Sequence, residues 1–486
     1  MKTGSFTTAL FLSLLFLSAD GPHALVESAI AQEVSPATTK VSPSTKPDVV
    51  VDFSAPLGKF KPVNGVNGGP FNYANQWISL ESLHADAGFP FTRLHDVNWP
   101  HPDAVDISTI FPIFSADADD PKNYLFAKTD EYLLPIIKNK SEIIYRLGES
   151  IEWKTRHFIH PPKDYQKWAK ICVNIIRHYN DGWADGFKYD IKYWEIWNEP
   201  EMKQMWSGSP KQYFQLYEVT AKAIKAYNPA LKVGGPASTG ALSGIMGPFL
   251  TYCRDNALPL DFCAWHIYTA SPGAVIKSCH DARKLLDTYG FKDTQSWLDE
   301  WHYRPPTTRL TPKDVNDDSV REAFASTVGP ESAAFVAGVM MLMQDAPIDV
   351  AAFYCADYSM YSMFSTFGVP SKTYYAFKAF YQLSQMTQRV ACNWQTKDKA
   401  VTISAGLSEN GKNAAVLISN SSAKGRPFTF ALQNLPGQGK IHIDVYEVSK
   451  AHNLSLEQSR DISDTSDSLT FDLPASSVIL VKIARP

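Results

Sequence analysis

The sequence predicts an α/β protein, a (β/α)8 TIM barrel followed by an accessory antiparallel β-sandwich domain. Three observations carry that prediction. Across residues 61–388, short apolar runs alternate with amphipathic stretches, the signature of parallel βα units. No Gly-rich phosphate loop follows the first run, which sets aside a doubly wound sheet. Over residues 389–486 the runs become short, alternating and turn-bounded, the pattern of an antiparallel sandwich.

The elements follow in chain order. Lys2, an apolar run at residues 8–19 and the small residues of Ala29-Ile30-Ala31 read as a secretory signal peptide over residues 1–31. The run is short for the ~30 Å hydrocarbon core of a bilayer. The mature protein is therefore expected to be secreted or periplasmic, with no membrane span after cleavage. Ser, Thr, Pro and Lys dominate residues 32–47, a linker by composition. Residues 48–60 hold a β-branched strand expected to join the sandwich, so that this domain draws on both ends of the chain.

Eight barrel strands are expected near residues 63–65, 91–94, 143–147, 193–197, 233–235, 262–268, 296–299 and 350–355. Stretches at 162–180, 210–227 and 332–344 supply helices between them. Two longer inserts, at 96–130 and 303–330, are polar and Pro-rich and read as loops that close a pocket. In the sandwich, strands are expected at 400–405, 413–419, 427–432, 441–448 and 477–483.

Composition then narrows the function. The 46 Lys and Arg against 50 Asp and Glu give a net charge of −4, and no basic block stands out, so nucleic acid is not an expected partner. Twelve Trp and 22 Tyr supply many rings of the kind that stack on sugars, although such rings also fill cores. The six cysteines are scattered without a C-x-x-C pair, and buried thiols are as consistent with them as disulfides. The histidines show no H-E-x-x-H spacing, and neither a G-x-S-x-G elbow nor a phosphate loop occurs. No metal and no cofactor is expected, and nothing in the sequence sets an oligomeric state.

In such barrels the chemistry sits where the strands end. The fourth strand runs into Trp194-Glu195-Ile196-Trp197-Asn198-Glu199-Pro200 and the seventh into Asp299-Glu300-Trp301. These strands lie across the barrel mouth, so Glu199 and Glu300 can face one bond. Glycosidic cleavage needs such a pair, one protonated and one ionised. Glu195 shares the parity of Glu199 but lies deeper, in a structural hydrogen-bonding place. Asp299 has the opposite parity to Glu300 and is expected to point away from the site.

Further stretches carry a resemblance: Gly65 with Gly68-Gly69-Pro70-Phe71, Thr92-Arg93-Leu94-His95-Asp96, and Ala264-Trp265-His266-Ile267-Tyr268. With the two Glu motifs, they make the chain similar to glycoside hydrolase family 39, which includes β-xylosidases and α-L-iduronidases. That family belongs to the retaining barrel glycosidases whose acid/base and nucleophile glutamates end strands four and seven. The resemblance implies that Glu199 is the acid/base, Glu300 the nucleophile, and Asn198 a ligand of the sugar 2-hydroxyl. It implies that Arg93 holds Glu300 ionised, that His95 lines the sugar subsite, and that His266 and Tyr268, at the end of strand six, orient the nucleophile and the sugar. Trp301 and Trp197 are candidate walls. The chain departs from the family at Asp299, where a small hydroxyl residue is usual, and at Leu94 and Asp96, where Phe and Gly are usual.

The function so implied is a retaining, β-xylosidase-like exo-glycosidase acting on an oligo- or polysaccharide of plant or algal type. Endo action, or a β-galactosidase, α-L-arabinosidase or uronic-glycan hydrolase of the same fold, is the alternative. A non-catalytic carbohydrate-binding pseudoenzyme is the rival from another class.

Overall fold

A computed structural model describes residues 46–73, 77–98, 100–305, 318–357, 359–396, 398–463 and 468–485. The expected signal peptide, and the expected linker up to residue 45, lie outside the described residues. Eight parallel strands close into a barrel in chain order: Gly65–Asn67, Phe91–Leu94, Glu142–Leu147, Tyr193–Ile196, Lys232–Ser238, Phe262–Thr269, Gln295–Tyr303 and Val350–Phe353. Pairing of Ala352 with Gly65 completes the ring. Each coincides with an expected strand to within a few residues.

Local chemistry sets the helices. Tyr165–Asn180 begins where the Asp164 side chain accepts from the Lys167 amide at 3.0 Å. Pro210–Tyr227 begins with a reciprocal Ser209–Gln212 capping box and a proline in its first turn. It buries Tyr213, Leu216, Tyr217, Thr220 and Ile224 along one stripe. Pro330–Met343 is apolar on every side because it is covered on every side. It packs between the barrel and the second sheet, where Ser419 Oγ donates to Ala334 O at 2.6 Å. Part of the second long insert, expected as loop, is the helix Asp318–Val328. Among the described residues, no single helix is long and apolar enough to cross a membrane.

The expected sandwich is one curled nine-stranded sheet. Its order is Asn453–Ile462, Ile441–Val448, Ser477–Ala484, Asn413–Asn420, Val401–Leu407, Gln388–Trp394, Val49–Gly58, Arg426–Gln433 and Ser468–Leu473. The curl brings Phe430 into one core with Ile443 and Val481, which lie on neighbouring strands far across the sheet. Val49–Gly58 pairs antiparallel with Gln388–Trp394 and parallel with Arg426–Gln433, so the sheet is not wholly antiparallel. Three strands were not expected: Gln388–Trp394, Asn453–Ile462 and Ser468–Leu473. The last two are the sheet's edges, and Asn453–Ile462 is largely polar because one of its flanks meets water.

All six cysteines are free thiols, five of them buried. Low in the barrel, Phe91, Ile144, Phe262, Ala264, Trp297 and Val350 fill the interior, and Trp297 stacks on Phe262 at 3.9 Å. Trp297→Ala is expected to cost about 3–5 kcal/mol of stability through the cavity it leaves, measured by denaturant unfolding.

Candidate active site

Strand two alternates so that Phe91 and Arg93 face inward, and the same parity carries Glu195 inward on strand four. Two irregularities then build the site. Strand four ends with Trp197 at φ 74° and Glu199 at φ 41°, a turn that presents Asn198 and Glu199 together. In strand seven Leu298 pairs with Trp265 and Glu300 with His266, leaving Asp299 as the extra residue of a β-bulge. The bulge brings Asp299 and Glu300 to the same side.

Arg93 is the hub of the site. Fully buried, it donates from Nε to Glu195 Oε2 at 2.8 Å, from Nη1 to Asn67 Oδ1 and Glu300 Oε2, both at 3.1 Å, and from Nη2 to Asn198 Oδ1 at 2.6 Å. Asp299 Oδ2 lies 3.2 Å from Nε. Burial opposes its charge, but Glu195, Asp299 and Glu300 together raise its pKa above the ordinary value. Burial pushes Glu195 well above the usual carboxylate range, against the pull of Arg93. Asp299, equally buried, is held down to about 2 by Arg93, Glu195 and His266. Burial and the shared Arg93 thus move the two acids in opposite directions, Glu195 up and Asp299 down.

The two oxygens of Glu300 are each addressed by a donor. Tyr268 OH reaches Oε1 at 2.8 Å, and Arg93 Nη1 reaches Oε2. Burial raises the Glu300 pKa, while His266, Arg93 and Tyr268 pull it back. Glu199 sits 2.8 Å from His266 Nδ1 and is the more open of the two, its side chain 15 % exposed against 9 % for Glu300. The His266 Nε2 atom lies 3.4 Å from Asp299 Oδ1. Although burial disfavours its charge, Glu300, Asp299 and Glu199 raise His266 well above the ordinary histidine value. One donor atom each from Glu199, His266 and Glu300 lies within 4.8 Å of the others. A protonated His266 and the adjacent Arg93 compete with any cation for that space.

A cleft of about 1350 Å³ opens over these groups, lined by His95, Asp96, Asn198, Glu199, Tyr268 and Glu300. Its rim takes Trp153 from the loop after strand three, Phe324 from the second insert, and Lys450 from the sheet domain. His95 is buried; burial, Arg93 and Arg146 hold its pKa well below the ordinary value, and it stays neutral.

Seven of the eight sequence-predicted residues converge here: Arg93, His95, Asn198, Glu199, His266, Tyr268 and Glu300. Trp301 does not. The bulge turns it outward, where it packs edge-on against Phe353 at 5.2 Å and beside Phe335. Trp197 likewise packs on Trp168 and Trp206, with Nε1 donating to Met205 O at 2.9 Å. Asp299, expected to point away, points in. Two residues escaped the sequence reading. Asn67 ends strand one and spans Arg93 and the Asp299 carbonyl, and Tyr354 follows strand eight into the cleft. The strand-end rule that singled out Glu199 and Glu300 applies to both.

Comparison with known proteins gives a consistent result. The sequence model of glycosyl hydrolases family 39 matches residues 93–392. A β-xylosidase of Geobacillus stearothermophilus is 40 % identical over 121 residues, which is 24 % of this chain and 23 % of that protein. A β-xylosidase of Caldicellulosiruptor saccharolyticus is 24 % identical over 369 residues, covering 70 % of this chain and 71 % of its own length. Among solved structures, a glucosidase from Croceicoccus marinus superposes with a TM-score of 0.77 at 25 % identity, over 91 % of this chain and 100 % of that one. The GH39 enzyme of Xanthomonas axonopodis pv. citri gives 0.68 at 17 % identity, over 91 % and 98 %, a likeness of fold.

Proposed function

We propose, from the premise that the chain belongs to the glycosyl hydrolases of family 39, that it is a retaining exo-glycosidase releasing neutral β-linked sugars from a glycan of plant or algal type. The observation that carries this reading is the spacing of Glu199 and Glu300, with carboxylate oxygens within 4.8 Å across His266. Retaining enzymes hold their two carboxyl groups about 5–5.5 Å apart, and inverting ones leave roughly 6.5–9.5 Å for a water.

Two carboxyls this close do not both ionise freely, and an ionised Glu199 opposes ionisation of Glu300. The retaining cycle starts with Glu300 ionised and Glu199 carrying the proton, and Arg93 and Tyr268 both donate to Glu300. Glu300 then attacks the anomeric carbon as the bond to the leaving oxygen breaks, and that oxygen takes the Glu199 proton. A glycosyl ester on Glu300 results. Water gives a proton to Glu199, attacks the same carbon and frees Glu300, so the configuration is retained. With Asn198 Oδ1 taken up by Arg93, its Nδ2 is left to donate to the sugar 2-hydroxyl, a bond that strengthens at the transition state.

A xyloside is the first substrate to try, from the two β-xylosidase relatives, and a glucoside the second, from the Croceicoccus marinus structure. Export rests on the residues 1–31 pattern. The test is hydrolysis of aryl glycosides in both anomeric forms, followed by proton NMR of the first-formed product. A β-glycoside is expected to yield the β-sugar before mutarotation. An α-sugar as first product rules out retention, and a panel with no hydrolysis rules out exo action.

A further inference from the structure

We propose that Asp96 is the specificity-determining residue of the subsite beside Glu300, where its carboxylate accepts hydrogen bonds from sugar hydroxyls, selecting a neutral glycosyl unit and turning away a uronate. This rests on the reading of Glu300 as nucleophile and adds the class of sugar it acts on.

The geometry is specific. Asp96 adopts φ 46°, in the left-handed region, so its side chain leaves strand two toward the cleft rather than along the barrel wall. The Ile151 amide fixes Oδ1 at 3.0 Å. Oδ2 lies 3.4 Å from His95 Nε2, and that same nitrogen is 4.0 Å from Glu300 Oε2. One imidazole edge thus separates the two carboxylates, and both address one sugar-sized space. The side chain retains 16 % of its exposed surface, opening among Asn198 and Tyr354.

The charges around this space decide what enters it. His95 is neutral, and Tyr354 is held protonated by burial. Arg146 is committed to Asp106 at 2.6 Å and is not among the residues lining the cleft. Arg93 is already shared by Glu195, Asp299 and Glu300. A uronate here meets two carboxylates, with Arg93 and Arg146 both engaged by carboxylates of the protein, whereas a neutral sugar offers hydroxyl donors to an acceptor fixed by Ile151. Burial, opposed by Arg146 and the Ile151 amide, raises the Asp96 pKa to about 7. Exclusion of a uronate therefore strengthens as the pH rises through about 7 and relaxes below it, where the carboxyl takes up a proton.

The experiment reads binding without turnover, in the Glu300→Gln protein, which also removes the second carboxylate. Titration calorimetry compares aryl β-xyloside, β-glucoside and β-glucuronide at pH 8 and pH 5.5, with Asp96 present, as Asp96→Asn and as Asp96→Gly. The glycine variant suits the left-handed backbone and controls for folding. With Asp96 in place, the better neutral glycoside is expected to bind at least tenfold more tightly than the glucuronide at pH 8, and the gap is expected to shrink at pH 5.5. Either substitution is expected to weaken binding of the neutral sugar by about 10- to 100-fold, as for loss of one charged hydrogen bond, and to make the preference independent of pH. Equal binding of neutral and uronide sugars with Asp96 present, or an unchanged preference without it, overturns the proposal. The expected binding pattern in a protein whose wild type hydrolyses no glycoside upholds the subsite and overturns the hydrolase reading.

Discussion

Glu300→Ala is expected to lower kcat by at least about 10⁴-fold on every glycoside, since a missing nucleophile is not made good by binding. Asp299 cannot stand in for it. That carboxylate is fully buried, 3.2 Å from Arg93 and 3.4 Å from His266, with no path to an anomeric carbon in the cleft. The truncation leaves a space bordered by Arg93, Tyr268 and His266, all of which attract an anion. Added azide is therefore expected to restore part of the rate on activated aryl β-glycosides. It attacks from the side Glu300 occupied, displaces the aryloxide and leaves an α-glycosyl azide, detectable by NMR and mass spectrometry. A folded variant with no rescue, or rescue giving the β-azide, overturns the assignment. Because Arg93 keeps Glu195 and Asp299 as partners, the variant is expected to fold, and thermal melting checks this.

Glu199→Ala is expected to discriminate by leaving group. An alkyl or sugar alkoxide needs a proton as the bond breaks, and loss of a general acid costs about 10²–10⁴-fold for such groups. A dinitrophenolate leaves unaided, so the first step on its glycoside is expected to be nearly unchanged. The second step still needs the base, so the ester on Glu300 is expected to accumulate and release of dinitrophenolate to show a burst. The structure favours this residue for proton traffic because it is the more open of the pair and is tethered at one oxygen, by His266. Equal losses on dinitrophenyl and alkyl glycosides overturn the acid role.

Much of this site was legible in the chain because the barrel order is local information. Each strand announces itself by a short apolar run, and the rule that chemistry gathers at strand ends then singles out Glu199 and Glu300, while the family resemblance adds Arg93, Asn198, His266 and Tyr268. The edge strand Asn453–Ile462 escaped because a strand half bathed in water carries little apolar signal. The two tryptophans misled for a different reason. A ring beside a catalytic glutamate reads as a sugar platform, yet Trp197 and Trp301 are both fully buried on the outer side of the barrel wall.

Local patterning in the chain was enough to specify the barrel, the second sheet's principal strands and the two glutamates on facing strands. Which way consecutive side chains face depends instead on the assembled fold. Parity along an undisturbed strand places Asp299 and Glu300 on opposite sides, and the neighbouring strands settle the matter otherwise. Strand six pairs His266 with Glu300 directly after Trp265 with Leu298, so one residue of strand seven has no partner, and the surplus turns Glu300 in and Trp301 out. Register is fixed by hydrogen bonds between strands far apart in the chain, and a single residue's slip reverses every side chain beyond it.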